Sequence, residues 1–167
     1  MYMKKPMHHK RKLVDHLILE LETTYQTALT AAKRAHSTAT DKANIAENKY
    51  DTLALEAAYL AEGHAKRSLE CRVDLDTIQN LSAIDYSLSD AIVVGALVRL
   101  IDQEDKPLSL FLAPVSGGLK FIFEEQTIVV ITQSSPLGKQ LLGKYVDDEF
   151  EIGNGQYKKN YRITNIT

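Results

Sequence analysis

A chain of 167 residues that is 44% hydrophobic and 25% charged has room for one medium domain or two small ones, and is too apolar to remain disordered. Its net charge of −2 excludes a wholesale electrostatic pull towards nucleic acid, and the lone Cys71 excludes an internal disulfide and a thiolate zinc site. No apolar run approaches the ~18 residues of a membrane-spanning helix, and Asp15, Glu20 and Glu22 interrupt the stretch after the basic start, so a reducing cytoplasm and no membrane contact are expected.

The glycines divide the chain. Only Gly63 falls in the first 80 positions, which are rich in Ala, Leu and charge, whereas the other seven glycines lie beyond position 94. Two architectures are therefore expected: α+β overall, with a helical hairpin over 1–80, a linker over 81–90 and a β-rich domain over 91–167. Lys4, Lys5, Lys10, Arg11 and Lys12 put five positive charges and no acid in the first twelve residues. Two roles stand open for them, a solvated tail or a contact with phosphate or an acidic protein.

From Val14, steps of three and four residues pick out Leu17, Leu21, Thr24, Ala28, Ala31 and Ala35, the seam of a two-stranded coiled coil. A second seam runs through Leu53, Ala57, Leu60 and His64 and then, after an over-long step, Ser68, Cys71, Leu75 and Ile78. The polar stretch His36–Asp41 between them predicts a reversal, with Thr40 or Asp41 capping the second helix, and places the tip near 36–50. Seam residues shrink from leucine to alanine towards that tip, which allows close helix approach and a narrow end. The five histidines, His8, His9, His16, His36 and His64, lack the i, i+4 pairing of a metal site, and solvent or seam positions account for them.

Beyond the linker, alternating β-branched and apolar residues predict strands at Ile92–Ile101, Leu108–Val115, Phe121–Phe123, Thr127–Thr132, Glu149–Ile152 and Tyr157–Ile166. Gly117-Gly118 and Gly153-Asn154-Gly155 suit hairpin turns, so a mostly antiparallel sheet is expected, with the last two strands paired. Ser135 as N-cap, Pro136 at the first helical position, the apolar Leu137, Leu141 and Leu142, and Gly143 as a stop mark one short helix. Ser135 lies in no Gly-x-Ser-x-Gly turn, so it reads as a cap and not as a nucleophile.

Two segments carry a resemblance. Asn44-Ile-Ala-Glu-Asn-Lys-Tyr50, and Ser135-Pro-Leu-Gly-Lys-Gln-Leu-Leu-Gly-Lys144 followed by Asp147-Asp-Glu-Phe-Glu-Ile152, are similar to the bacterial Gre transcription elongation factors. Gly95-Ala-Leu-Val-Arg-Leu100 resembles the strand that opens their C-terminal domain, whose fold is similar to the FK506-binding proteins. The likeness implies an accessory factor, not an enzyme, that binds RNA polymerase as a monomer. Its globular domain would lodge at the rim of the secondary channel, with Ser135, Pro136, Leu137 and Gly138 in the anchor. Its hairpin tip would reach the catalytic centre, where the polymerase cleaves backtracked RNA.

By the same resemblance the tip residues that assist are Glu47, Asp41 and Asn44, while Lys33, Arg34, Lys42 and Lys49 face polymerase or nascent RNA. No intrinsic cofactor is implied, only the polymerase's own Mg²⁺, a hard cation that takes oxygen ligands. The family pattern has an Asp three residues before a Glu, and here Asn44 occupies the Asp position, so half of the acidic pair is missing unless Asp41 or Asp51 compensates. One residue fewer separates Glu47-Asn48 from Tyr50, a rotation of about 100° along a regular helix. Three alternatives stay open: a channel regulator that does not promote cleavage, an isomerase or chaperone of the FK506-binding type, and an adaptor whose hairpins associate.

Overall fold

The computed structural model describes residues 8–40 and 52–167. The elements run α1 (His8–Thr40), α2 (Thr52–Gln79), β1 (Leu97–Asp102), β2 (Pro107–Ala113), β3 (Lys120–Phe123), β4 (Gln126–Thr132), α3 (Pro136–Leu141), β5 (Glu149–Ile152) and β6 (Lys159–Ile166). The fold is α+β, two long helices followed by a six-stranded sheet domain. The chain divides into two compact units: one joins α1 up to Leu17 with everything from Thr77 onward, and the other runs from Ile18 to Asp76.

In the first unit the sheet has the order β3-β4-β2-β1-β6-β5. Every pair is antiparallel except β2 and β4, which run parallel with Leu110 opposite Val129 and Leu112 opposite Ile131. Residues alternate between two faces, as the pleat requires. Val98, Leu100, Leu110, Leu112 and Ile131 form one face and are buried with Ile92, Leu141 of α3, Phe150, Ile163 and Ile166. The opposite face carries Leu97, Phe111, Ala113, Phe121, Ile128 and Val130, also buried. Burial on both faces explains why β2 reads as the continuous apolar run Leu110–Ala113 and not as an alternation.

The sheet differs from expectation at its turns. β2 and β3, joined through Gly117-Gly118, are not neighbours, because β4 lies between them. The tight hairpin joins β3 to β4 instead, pairing Phe123 with Gln126 around Glu124 (φ 47°) and Glu125 (φ 63°). Both central residues adopt the left-handed conformation of a type I′ turn, which ordinarily calls for Asn or Gly. The β5–β6 pair forms as expected, with Phe150 opposite Tyr161. The first predicted strand starts late, at Leu97, because Gly95 turns the chain at φ 97° and Ile92 is tied to α3's exit by Ile92 N–H to Lys144 O and Gly143 N–H to Ile92 O.

The start of α1 belongs to this unit, with Leu13, Val14 and Leu17 buried. His16 places its ring 5.6 Å from Phe121 and 5.9 Å from Phe123, while His9 lies 5.4 Å from Phe123 and 3.2 Å from the Glu124 carboxylate. Residues 81–90 are also pinned: the Tyr86 hydroxyl donates to Val94 O at 3.3 Å, and Ser87 N–H donates to the Asp90 carboxylate at 2.7 Å.

The second unit pairs the rest of α1 with α2. Arg72 sits 5.7 Å from the Tyr25 ring, and both lie near the unit's chain ends at Ile18 and Asp76, so the two helices run antiparallel. On α1 the predicted seam is the least exposed line, buried at Leu21 and half-buried at Thr24, Ala28, Ala31 and Ala35. On α2 Ser68, Cys71 and Leu75 are buried, but Leu60 is 62% exposed and His64 is exposed as well. Ala61 is half-buried in its place. The covered positions Ala57, Ala61, Ser68, Cys71 and Leu75 fall four, seven, three and four residues apart, so the over-long step disappears. Six threonines of α1 (Thr23, Thr24, Thr27, Thr30, Thr38 and Thr40) donate their hydroxyls to the carbonyl four residues earlier.

The reversal predicted at His36–Asp41 does not occur within His36–Thr40, and Asp41 lies outside the described residues. α1 stays helical through Thr40, whose hydroxyl donates to His36 O, one turn back in its own helix. Polar side chains on an exposed helix face are as compatible with helix as with loop, which is why composition alone misplaces the boundary.

Candidate functional site

The tip residues singled out by sequence, Asp41, Asn44 and Glu47 together with Lys42 and Lys49, lie outside the described residues, as does Asp51. The described shoulder is the last part of α1. Lys33 and Arg34 are both solvent-exposed there, two adjacent cations on one side of the helix. Arg34 also closes an open groove of about 560 Å³ lined by Glu22, Thr23, Gln26, Thr27, Thr30 and Ala31. Because the groove threonines bond their own backbone, its ends at Glu22 and Arg34 carry the charge.

The second set, Ser135–Gly138, is brought together at the start of α3. Ser135 Oγ accepts from Gly138 N–H at 3.0 Å and donates to Thr132 O at 2.7 Å, so the hydroxyl is engaged on both sides. Pro136 is exposed, Leu137 is half-buried against the core, and Gly138 is buried. A Cβ at Gly138 would come 2.0 Å from Thr132 O, closer than any real contact, so only glycine lets the helix start so near β4. Of the four, Ser135 and Gly138 hold the segment in shape, while Pro136 faces solvent.

Lys10 is a residue whose place sequence reasoning missed. It is 3% exposed, donates from Nζ to Ile84 O at 2.7 Å, and lies 4.0 Å above the Tyr86 ring. Burial draws its ammonium down to about 7, opposed by the Asp85 charge. It therefore leaves the basic N-terminal group as a packing residue, while Arg11, paired with Asp15 at 3.0 Å, and Lys12 stay exposed. The signal was present: Lys10 continues the apolar register of Leu13, Val14 and Leu17 one turn earlier. The contacts of His9 and His16 with Phe121 and Phe123 had no such signal, since they join segments over a hundred positions apart.

No family model matches the chain. Among curated proteins, it is 31% identical over 114 residues to the transcription elongation factor GreA of Sphingopyxis alaskensis, covering 64% of this chain and 68% of that protein. It is 30% identical over 115 residues to the GreA of Novosphingobium aromaticivorans, with the same coverage. The GreA of Rhodospirillum rubrum aligns over 149 residues at 27% identity, 88% of each chain. The solved structure of Thermus aquaticus Gfh1 aligns with 95% of this chain at 21% identity and a TM-score of 0.37, a likeness too low to argue from. The two GreA alignments at 30% identity or more each span over two thirds of the relative, and the chain belongs to the Gre transcription elongation factor family.

Proposed function

We propose that this protein is an elongation factor that binds RNA polymerase, anchors through its sheet domain at the rim of the secondary channel and extends the tip of its antiparallel helix pair towards the catalytic centre. The observation that carries this reading is the family membership, together with a seam that narrows from Leu21 to Ala28, Ala31 and Ala35. Small seam residues let two helices approach closely, and a slender pair suits a narrow channel.

At the tip, Glu47 supplies the carboxylate that assists the polymerase's Mg²⁺ and its attacking water, with Asp41 nearby in sequence and Asn44 offering an uncharged oxygen. Lys33, Arg34, Lys42 and Lys49 meet RNA or polymerase phosphates and carboxylates. The factor itself performs no bond cleavage in this reading, works in the cytoplasm, and touches nascent RNA only through the polymerase.

Asn44 specifically favours a second reading, a channel occupant that regulates without promoting cleavage, because an amide brings no charge to recruit a divalent cation. An isomerase reading is weakened by Phe121 and Phe123, whose rings are engaged by His9 and His16 and so wall no proline pocket. Transcript cleavage on stalled polymerase complexes, with a binding titration to core polymerase, tests the proposal. Binding with RNA shortening that Glu47→Ala abolishes supports a cleavage factor. Binding without shortening selects the second reading, and absence of binding overturns both.

A further inference from the structure

α2 is apolar on two sides. Its seam side is buried at Ser68, Cys71 and Leu75, whereas Leu55, Tyr59, Leu69 and Val73 are 56%, 66%, 67% and 61% exposed. At about 100° per residue these four, with the exposed Glu62 and Lys66 between them, fall within about 40° of one line along the helix, directly opposite the seam. A large exposed apolar stripe with an ordered charge pair at its centre marks an interaction surface and not a solvated face.

The order of residues along the stripe identifies the partner. Reflected about position 64, Leu55 exchanges with Val73, Tyr59 with Leu69, and Glu62 with Lys66. A second α2 laid antiparallel across the first would thus place apolar against apolar at both ends and acid against base twice in the middle. That is the self-complementarity an isologous two-fold interface demands. A parallel copy would instead oppose Glu62 to Glu62 and Lys66 to Lys66. We propose that the exposed face of α2 is a homodimerisation surface, on which two copies of this chain pair antiparallel about a two-fold axis near residue 64, with Glu62 of each copy against Lys66 of the other.

The paired stretch is about 27 Å long, and one helix face of that length buries less than about 1,200 Å² in all, the class of weak, reversible pairs. Half-association is expected on the order of tens of micromolar. The surface uses neither the seam nor residues 41–51, but it runs along the helix pair that the polymerase reading sends into the channel, so the paired form has to separate before the arm enters, and self-association measured without polymerase tests the one reading apart from the other.

Sedimentation equilibrium of the full chain, from about 1 μM to about 1 mM, is the test, read against the interface size class. The mass should rise from one chain to two. Lys66→Glu alone and Glu62→Lys alone should each weaken association at least about tenfold, whereas the double exchange Glu62→Lys/Lys66→Glu restores the opposed charges and should return it to within about twofold. Leu69→Gln, which leaves every charge in place, should also weaken it while circular dichroism shows unchanged helix content. A single-chain mass throughout, a dimer indifferent to the single exchanges, or a double exchange that fails to restore pairing would each overturn the proposal.

Discussion

The sheet-bearing unit and the helical unit solve the same problem with very different densities of core. In the first, strands β1, β2 and β4 are buried on both faces, and Phe111, Leu100, Leu110, Leu112 and Ile163 are almost wholly shielded from water. In the second, only Leu21, Ser68, Cys71 and Leu75 are buried among the described residues. A helix pair with so few buried side chains draws its stability from local hydrogen bonding and a thin seam, and opens at lower cost than a sheet domain does. Damage to the sheet unit should therefore be global, and damage to the helical unit local.

The contrast breaks most sharply at Gly138. Gly138→Val drives a side chain into Thr132 O, and with no soft neighbour to yield it should cost about 4 kcal/mol or more, seen as loss of the thermal transition or of soluble protein. The paired comparison comes next. Leu112→Ala, in the dense core, should cost about 3–4 kcal/mol, and Leu75→Ala, on the seam, about 2 kcal/mol. Urea unfolding measures the difference, and equal losses would mean that the helical unit packs as tightly as the sheet.

Lys10 sharpens the comparison through pH. Its folded ammonium releases a proton at about 7, whereas the unfolded side chain keeps it to its ordinary 10.5. Between those values the unfolded chain binds the extra proton, so stability should rise with pH across that window, by up to about 1.4 kcal/mol per unit. Lys10→Met should flatten this slope in denaturant titrations from pH 6 to 10 while leaving the slope of any Arg11 variant unchanged. The smallest effect is a gain: Glu125→Gly relieves the left-handed strain of the β3–β4 turn and should stabilise the sheet unit by about 1 kcal/mol, leaving Glu124 free to meet His9.

What was legible in the sequence follows the same division. Strands β2 to β6 announced themselves because short β-branched and apolar runs are local properties, and α3 did so through Ser135, Pro136 and Gly143. The parallel β2–β4 pairing was not legible, since neighbour choice depends on contacts that no local window contains. Nor was the Glu124-Glu125 turn, because glutamate gives no sign of a positive φ. On α2 the larger Leu60 outbid Ala61 when the seam was chosen by hydrophobicity, although position and not size decides which side chain faces the partner. At the candidate site Ser135's capping role was readable from its neighbours, while Gly138's necessity appears only when Thr132 is seen against it.

The self-bonded threonines of α1 change how wet its surface is. A hydroxyl given to the carbonyl one turn back has no donor left for water, although its oxygen still accepts, and the methyl stands beside it. Between Glu22 and Arg34 the helix thus offers fewer hydrogen-bond donors than its composition suggests. A polar grip on that face comes from the charges at its two ends, from Gln26, and from donors that can reach the threonine oxygens.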